Sequence, residues 1–215
     1  MAWTFDQALF MKANASTETR TRFQRLIEHL LSRNLQAVQV EFDGMSDNEK
    51  VLVGLCVGKD GNTLTHRLCA GVVSENSIKF IEAMLPSDPV TILGAPNKKG
   101  MFPIHIAVEN SLDNTVNYLV QQGVDINQRS LMEGNTAAVV AAINNDFDLL
   151  TTLVERGADI TIKNKQGLTC QDYVLKNNDQ ETALKWSALM IIQSGVKSGM
   201  LIEKNDGKKR NTRAL

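Results

Sequence analysis

The chain has 215 residues, a formal net charge of −1 and a hydrophobic fraction of 43%. A net charge this close to zero gives no overall attraction to nucleic acid or to an anionic membrane surface, so neither is an expected partner. No apolar run approaches the roughly 20 residues that cross a bilayer. The first residues lack the basic start and apolar segment of a secretory signal.

Three cysteines, Cys56, Cys69 and Cys170, have no paired spacing. An odd number of unpaired cysteines indicates free thiols in a reducing compartment. We therefore expect a cytoplasmic protein.

Residues 1–57 predict a helical N-terminal cap. Residues 1–15 are expected to form an arm that packs onto the following helices or docks to a partner. Ser16 suits the N-cap of a helix over 16–34, because apolar residues then recur at helical spacing. These residues are Phe23, Leu26, Ile27, Leu30 and Leu31.

The second part of this region contains a turn and another helix. Residues 35–45 end in the turn signal Phe-Asp-Gly-Met, and the alternation of Val38, Val40 and Phe42 is too short to assign a strand. Ser46 and Glu49 have the spacing of a capping box, which predicts a helix to about residue 56. Such a cap would cover the first unit of the array that follows.

The sequence after the cap repeats itself. Shifting 97–163 by 34 residues places Gly100 on Gly134, and a further shift of 33 takes Gly134 to Gly167. Other pairs that match at the first shift are Phe102/Thr136, Ala107/Ala141, Val116/Leu150, Leu119/Leu153, Val120/Val154, Gly123/Gly157 and Asp125/Asp159. A period of this length indicates a solenoid in which one supersecondary unit stacks on the next.

Each unit has a turn with a short helix, a longer amphipathic helix and a glycine stop. Pro103 suits the first turn of a short helix, where no backbone N–H is needed. Leu150, Leu153 and Val154 form the apolar stripe of a longer helix, and Gly157 follows as a C′ glycine. One such hairpin cannot bury its own stripe, so about three or more units are needed for stability.

Ankyrin repeats carry the pattern G-x-T-P-L-H-x-A followed by V-x-x-L-L-x-x-G-A-D-x-N, which this chain resembles in GMFPIHIA…VNYLVQQGVDIN and GNTAAVVA…LTTLVERGADIT. The match is weaker upstream, where Thr63 and His66 lack the proline, and downstream, where Asp172 stands at the histidine position. The resemblance covers about 58–190. It implies an all-α ankyrin-repeat solenoid of about four helix pairs with hairpin fingers, and a concave face that binds other proteins.

The units are expected at about 58–96, 97–129, 130–163 and 164–194, followed by a basic C-terminal tail at 195–215. The spacing from Gly61 to Gly100 is five residues longer than the next glycine spacing. We expect the excess in 85–96, as a longer finger that either binds a partner or is a passive loop. The tail is either frayed or an address or contact element. The last unit is expected to bury Leu184, Ala188, Leu189 and Ile192.

No pattern indicates a catalytic, cofactor-binding or metal site. The nucleophile elbow, the phosphate-binding loop and the dinucleotide fingerprint do not occur. His66 and Cys69 form a lone pair, whereas a zinc site needs about four ligands. The resemblance implies that His66 and His105 bridge neighbouring repeats. It also makes Asn127 either an acceptor for asparaginyl hydroxylation or a residue that hydrogen-bonds in its turn.

The resemblance places partner contacts at the finger tips and on the exposed side of the short helices. The residues at these positions are Lys98, Lys99, Met101, Glu109, Asn110, Met132, Glu133, Asn135, Ile143, Asn144, Lys165, Gln166, Leu168, Lys176 and Asn177. Lysines at both ends of the set, with the apolar anchors Met101, Met132 and Leu168, suit an acidic, amphipathic segment of a partner protein.

The leading hypothesis is a non-enzymatic, monomeric adaptor that holds a cytosolic protein on this face. An alternative is a secreted bacterial effector that binds a host protein in the host cytosol, with which the divergent flanking units and the charged tail are compatible. A further alternative is an enzyme whose site lies in 1–57. That region contains His29, Asp43, Asp47, Glu49 and Cys56, without recognisable spacing.

Overall fold

The computed structural model describes residues 16–71, 77–84, 90–177 and 180–197. Within these ranges the chain is all-helical, which confirms the predicted fold class. The helices are α1 (Thr17–Leu31), α2 (Leu35–Asp43), α3 (Asp47–Leu55), α4 (Leu64–Cys69), α5 (Ser77–Met84), α6 (Val90–Leu93), α7 (Pro103–Glu109), α8 (Asp113–Gln121), α9 (Ala137–Ile143), α10 (Phe147–Glu155), α11 (Cys170–Val174) and α12 (Gln180–Lys197), with a 3-10 turn at Leu175–Asn177. The predicted arm at 1–15 and tail residues 198–215 lie outside the described residues.

Four short helices form a continuous row. Helix α4 packs on α7, α7 on α9, and α9 on α11. Helix α9 is buried along most of its length because Ala137, Ala138, Ala141 and Ala142 let both neighbours approach closely. Each short helix is followed by a longer one: α5, α8, α10 and α12 in turn. One hydrophobic cluster extends through the stack from Phe23 to Leu189, so each unit completes the core of the next.

The turn between the short and the long helix has the same geometry in several units. Asn145 has a φ of 57° and donates its N–H to the carbonyl three residues earlier at 3.1 Å. The N–H of Asp146 then bonds to the carbonyl five residues earlier at 3.0 Å. Ser111 and Arg33 have φ values of 51° and 55°. At each, its own N–H and the N–H of the next residue make the same two hydrogen bonds to the preceding helix. Helices α1 and α2 therefore form a helix pair whose turn matches those of the later pairs.

Helix α2 was missed because the alternation of its apolar residues resembles a strand. Val38 and Phe42, four residues apart, are buried, whereas Val40 is 65% exposed. Asn34 caps the helix by accepting the N–H of Ala37 at 3.0 Å. The buried pair has helical spacing, and the third apolar residue faces solvent.

The predicted caps of the two neighbouring helices are confirmed. The Oγ of Ser16 accepts the N–H of Thr19 at 3.2 Å, and Ser46 and Glu49 form the capping box. The assignment of Leu31 to the buried stripe of α1 was wrong, because its side chain is exposed.

The extra spacing before Gly100 contains a helix. Helix α6 lies between α5 and the next finger, and it packs against α3, which occupies the equivalent place after α2. The two helices approach closely at Gly54, where a Cβ would lie 2.6 Å from the Cδ1 of Ile92. The longer finger expected in 85–96 was wrong for Val90–Leu93, since these residues form a helix.

Helix α12 buries a different face from the one expected. Its buried residues are Thr182, Trp186, Leu189 and Gln193. Ile192 is partly buried, but Leu184 and Ala188, expected in the buried stripe, are exposed. Trp186 fills the space that the predicted stripe assigned to smaller residues.

Adjacent fingers are joined by backbone hydrogen bonds. The N–H of Lys98 donates to the Gly61 carbonyl at 3.0 Å, that of Leu131 to Gly100 at 2.7 Å, and that of Lys165 to Glu133 at 2.9 Å. Gly100 has a φ of 68°, and a Cβ on it would lie 2.6 Å from the Cβ of Leu131. Only glycine satisfies both the conformation and the close approach.

Gly100→Ala is expected to destabilise the protein by about 2–3 kcal/mol, since strain at positive φ adds to the clash with Leu131. Gly167→Ala is the matched control, because Gly167 has a φ of 81° with nothing within 4 Å of the added Cβ. It should cost only about 1 kcal/mol. Urea unfolding measures both values, and equal losses would contradict the close stacking of the fingers.

Candidate partner-binding face

Two buried histidines hold neighbouring fingers together. The Nε2–H of His66 donates to the Met101 carbonyl at 2.9 Å, and its Nδ1 accepts the hydroxyl of Thr63 at 2.6 Å. His105 accepts the N–H of Phe102 on Nδ1 at 3.2 Å. Its Nε2 donates to the Asn135 and Gln128 carbonyls at 2.9 and 3.1 Å. Carbonyl oxygens only accept, so each ring carries a proton on Nε2, and the Phe102 N–H requires that the Nδ1 of His105 carries none. Burial lowers the pKa of each to about 4.

Asparagine side chains form a second set of links at the finger bases. The amide of Asn97 donates to the Asn62 oxygen at 2.8 Å, and that of Asn164 donates to the Asn135 oxygen at 2.9 Å. The Asn97 oxygen also accepts two N–H groups of its own finger, from Lys99 and Met101. These links make a rigid support for the tips.

The third finger is one residue longer than its neighbours. Its base is closed by the N–H of Ser130, which donates to the carbonyl of Asn135, five residues later, at 2.9 Å. The equivalent bonds of the second and fourth fingers, from Asn97 and Asn164, span four residues. The longer tip presents Leu131 and Met132, which are 53% and 67% exposed. Apolar side chains this exposed contribute little to the core, which suggests a role in binding.

Most of the residues expected to bind a partner are on the surface. The exposed ones are Lys98, Lys99, Glu109, Asn110, Met132, Glu133, Ile143, Asn144, Lys165, Gln166, Leu168 and Lys176. Met101 is half-buried, and the side chain of Asn177 lies outside the described part of the chain. Asn135 is buried, with its amide bonded to the Glu133 carboxylate at 2.7 Å. It supports the face from behind, so its proposed direct contact with a partner is not supported.

Sequence reasoning overlooked Leu131. The 34-residue shift aligned it with Asn97, but the hydrogen bonds align Ser130 with Asn97 instead. The inserted residue lies between Ser130 and Gly134, so it makes the spacing from Gly100 to Gly134 34 residues, one more than the 33 from Gly134 to Gly167. A shift by 34 matched the two glycines and thereby displaced the residues before Gly134 by one position. The available signal was an apolar pair, Leu131 and Met132, shortly before a finger glycine, where the other fingers carry polar residues.

Exposed apolar residues occur on the third finger, on the fourth finger and on α9. Ile143 at the end of α9 and Leu168 in the fourth finger are also exposed apolar residues. The Nζ of Lys165 donates to the Leu131 carbonyl at 2.6 Å, which brings a positive charge beside the third tip. We call Leu131, Met132, Ile143 and Leu168 the apolar patch.

Asn127 connects two hairpin loops. Its side-chain oxygen accepts the N–H of Asp159 at 2.8 Å, and its amide donates to the Gly157 carbonyl at 3.4 Å. Its own N–H bonds to Asp125 at 2.8 Å. These contacts support the turn role expected of it, and its hydroxylation stays a prediction.

The described residues offer few groups for metal or thiol chemistry. No group of three or more metal-ligating side chains occurs among them. The three cysteines are buried and free, and burial raises the pKa of each thiol, that of Cys170 to about 12. These thiols are therefore poor nucleophiles. Among the described helices, none has the length and apolar character to cross a membrane.

The family model described as "Ankyrin repeats (3 copies)" matches residues 68–164. This stretch begins on α4, contains the pairs α7–α8 and α9–α10, and ends at the base of the fourth finger. Residues 68–164 are ankyrin repeats. The matched residues include the longer third finger and the link made by His105.

Curated relatives match about half of this chain. The Ankyrin repeat and SAM domain-containing protein 6 of Rattus norvegicus is 31% identical over 108 residues, or 50% of this chain and 12% of that protein. Alpha-latrotoxin-Lhe1a of Latrodectus hesperus is 31% identical over 91 residues, or 42% of this chain and 6% of the toxin. The Inhibitor of Bruton tyrosine kinase of Homo sapiens is 25% identical over 124 residues, or 57% of this chain and 9% of that protein. This chain thus spans a small part of each relative's length.

The histidine links make the stability of the ankyrin array depend on pH. The folded-state pKa of about 4 lies below the unfolded value of about 6.5, so protonation favours unfolding. The stabilisation is complete above pH 6.5 and is lost as the pH falls toward 4. Between pH 6 and 5 the free energy of unfolding should fall by about 1.2 kcal/mol for each histidine.

His66→Gln removes one titrating group, and its amide N–H is placed to donate to the Met101 carbonyl as the ring does. Urea unfolding from pH 7 to 5 should therefore show about half the wild-type slope. An unchanged slope would mean that His66 is not buried in its neutral form.

Proposed function

We propose that the protein is a non-enzymatic adaptor that binds an acidic, amphipathic segment of a cytosolic protein on the apolar patch of its ankyrin array. Ankyrin repeats are modules of protein–protein interaction, and a stacked array offers an extended concave surface. The observation that carries the proposal is the longer third finger. Its extra residue exposes Leu131 and Met132, although the fingers on either side stack without it.

The arrangement of charges supports an acidic partner. Lys98 and Lys99 are exposed on the second finger and Lys165 on the fourth, so positive charges lie on both sides of the apolar tip. Glu133 is held by the amide of Asn135 at 2.7 Å, which limits its reach across the patch. Lysines on this chain and acidic residues on the partner would attract each other and orient the partner as it approaches. The apolar contacts provide most of the affinity.

A rigid support also favours binding. The tips are fixed by backbone hydrogen bonds, asparagine links and neutral histidines. Few groups of this chain would therefore lose conformational freedom when a partner binds. Pre-organisation reduces the entropic cost of association. The free buried thiols fit the reducing environment of the cytosol.

The variant Lys98→Glu/Lys99→Glu/Met132→Ala tests the face. Peptides selected from a random display library on the full wild-type chain serve as probes, and we expect them to combine acidic residues with apolar anchors. Loss of the anchor and reversal of two charges should weaken binding of a selected peptide at least about 30-fold. Fluorescence anisotropy measures the affinity, and thermal unfolding should be unchanged.

Lys50→Glu/Lys79→Glu/Val40→Ala is the matched control. It reverses two lysines and truncates an exposed apolar residue on helices away from the fingers. Its affinity for the selected peptides should equal that of the wild type. If both variants lose affinity to the same extent, overall charge determines binding. If both variants bind the peptides as the wild type does, this face is not the site.

A further inference from the structure

Helix α12 has two apolar faces. One face, with Trp186 and Leu189, is buried against the array, and the Nε2 of Gln193 bonds to the Ala158 carbonyl at 3.5 Å. On the opposite face, Leu184 and Ile191 are 66% and 71% exposed. The two are seven residues apart, so they lie on one line along the helix. A solvent-facing helix normally carries polar residues at such positions.

The outer face of α12 carries no charge among its described side chains. Between and after the two large residues lie Ser187, Ala188 and Ser194, all exposed. Glu181 and Lys185 are on the flank, where they pair with each other at 2.7 Å. Lys185 also lies 5.4 Å above the Phe147 ring of α10, so it points toward the array. A second helix could therefore approach without burying a charge.

The residues of this face alternate in size. Large Leu184 is followed by small Ser187 and Ala188, then by large Ile191, then by small Ser194 and Gly195. When an identical helix is placed antiparallel across a two-fold axis, Leu184 meets Gly195 of the other copy, and Ile191 meets Ala188. Every large side chain then faces a small one, as knobs-into-holes packing requires. A self-complementary pattern is the requirement for an isologous interface.

We propose that the outer face of α12 docks on the same face of a second copy of this chain, in an antiparallel and symmetric homodimer. One helix pair buries less than the roughly 800 Å² per partner of a standard interface, so the dimer is weak, with a Kd on the order of 100 µM. The sequence analysis predicted a monomer and, separately, the burial of Leu184 and Ala188. Because they are exposed, α12 has a face left to cover.

Sedimentation equilibrium of the full chain, from about 5 to about 500 µM, tests the dimer. The average mass of the wild type should rise with concentration toward twice that of the chain. Ile191→Asp should weaken association at least about 10-fold, because it buries a charge. Val40→Asp is the matched control, since Val40 is 65% exposed on α2, and it should associate as the wild type does.

Ala188→Leu distinguishes specific pairing of the two helices from nonspecific apolar association. It adds apolar surface but fills the space that Ile191 of the other copy would occupy, so the proposal predicts weaker association. Stronger association of this variant would overturn the proposal. It would also be overturned by a wild-type mass that does not change with concentration, as when a segment of the same chain covers the face, or by equal effects of the two aspartate variants.

Discussion

Contact between neighbouring units is the constraint on which this structure depends. Among the described residues, one hydrophobic cluster is shared from α1 to α12, and a second, much smaller one joins Leu55 of α3 to Ala95. The fingers repeat this dependence in the backbone, where Lys98, Leu131 and Lys165 each donate an N–H to the preceding finger. A solenoid of this kind derives stability from interfaces between adjacent units. Its surface can therefore vary at a tip without loss of the support behind it.

The third finger shows how such an array can acquire a binding site. One added residue lengthens the tip while Ser130 and Asn135 still close its base at 2.9 Å. The buried His105 bonds to the Asn135 carbonyl, so the same residue anchors the finger and lies behind the exposed Leu131 and Met132. The groups that give rigidity are buried, and the groups proposed to bind are solvent-exposed.

Much of the fold could be predicted from the sequence because its signals recur. Glycines such as Gly100 and Gly134 mark the finger turns, and the capping boxes mark helix starts. Helix α2 escaped because Val38, Val40 and Phe42 alternate as a strand would. Helix α6 was not predicted because its segment is a single insertion, which the repeat pattern does not contain. The apolar patch was found in part, but Leu131 required the hydrogen bonds that define the register of the finger, which no one-dimensional alignment contains.

Amide hydrogen exchange, resolved by residue with NMR, tests the stacked array most directly. Lys98, Leu131 and Lys165 have exposed side chains, so slow exchange of their N–H groups would arise from the bonds between fingers. The stacked structure predicts that all three are protected and that Gly100→Ala selectively speeds exchange at Leu131. Exchange at the rate of an unstructured chain at all three positions would contradict it.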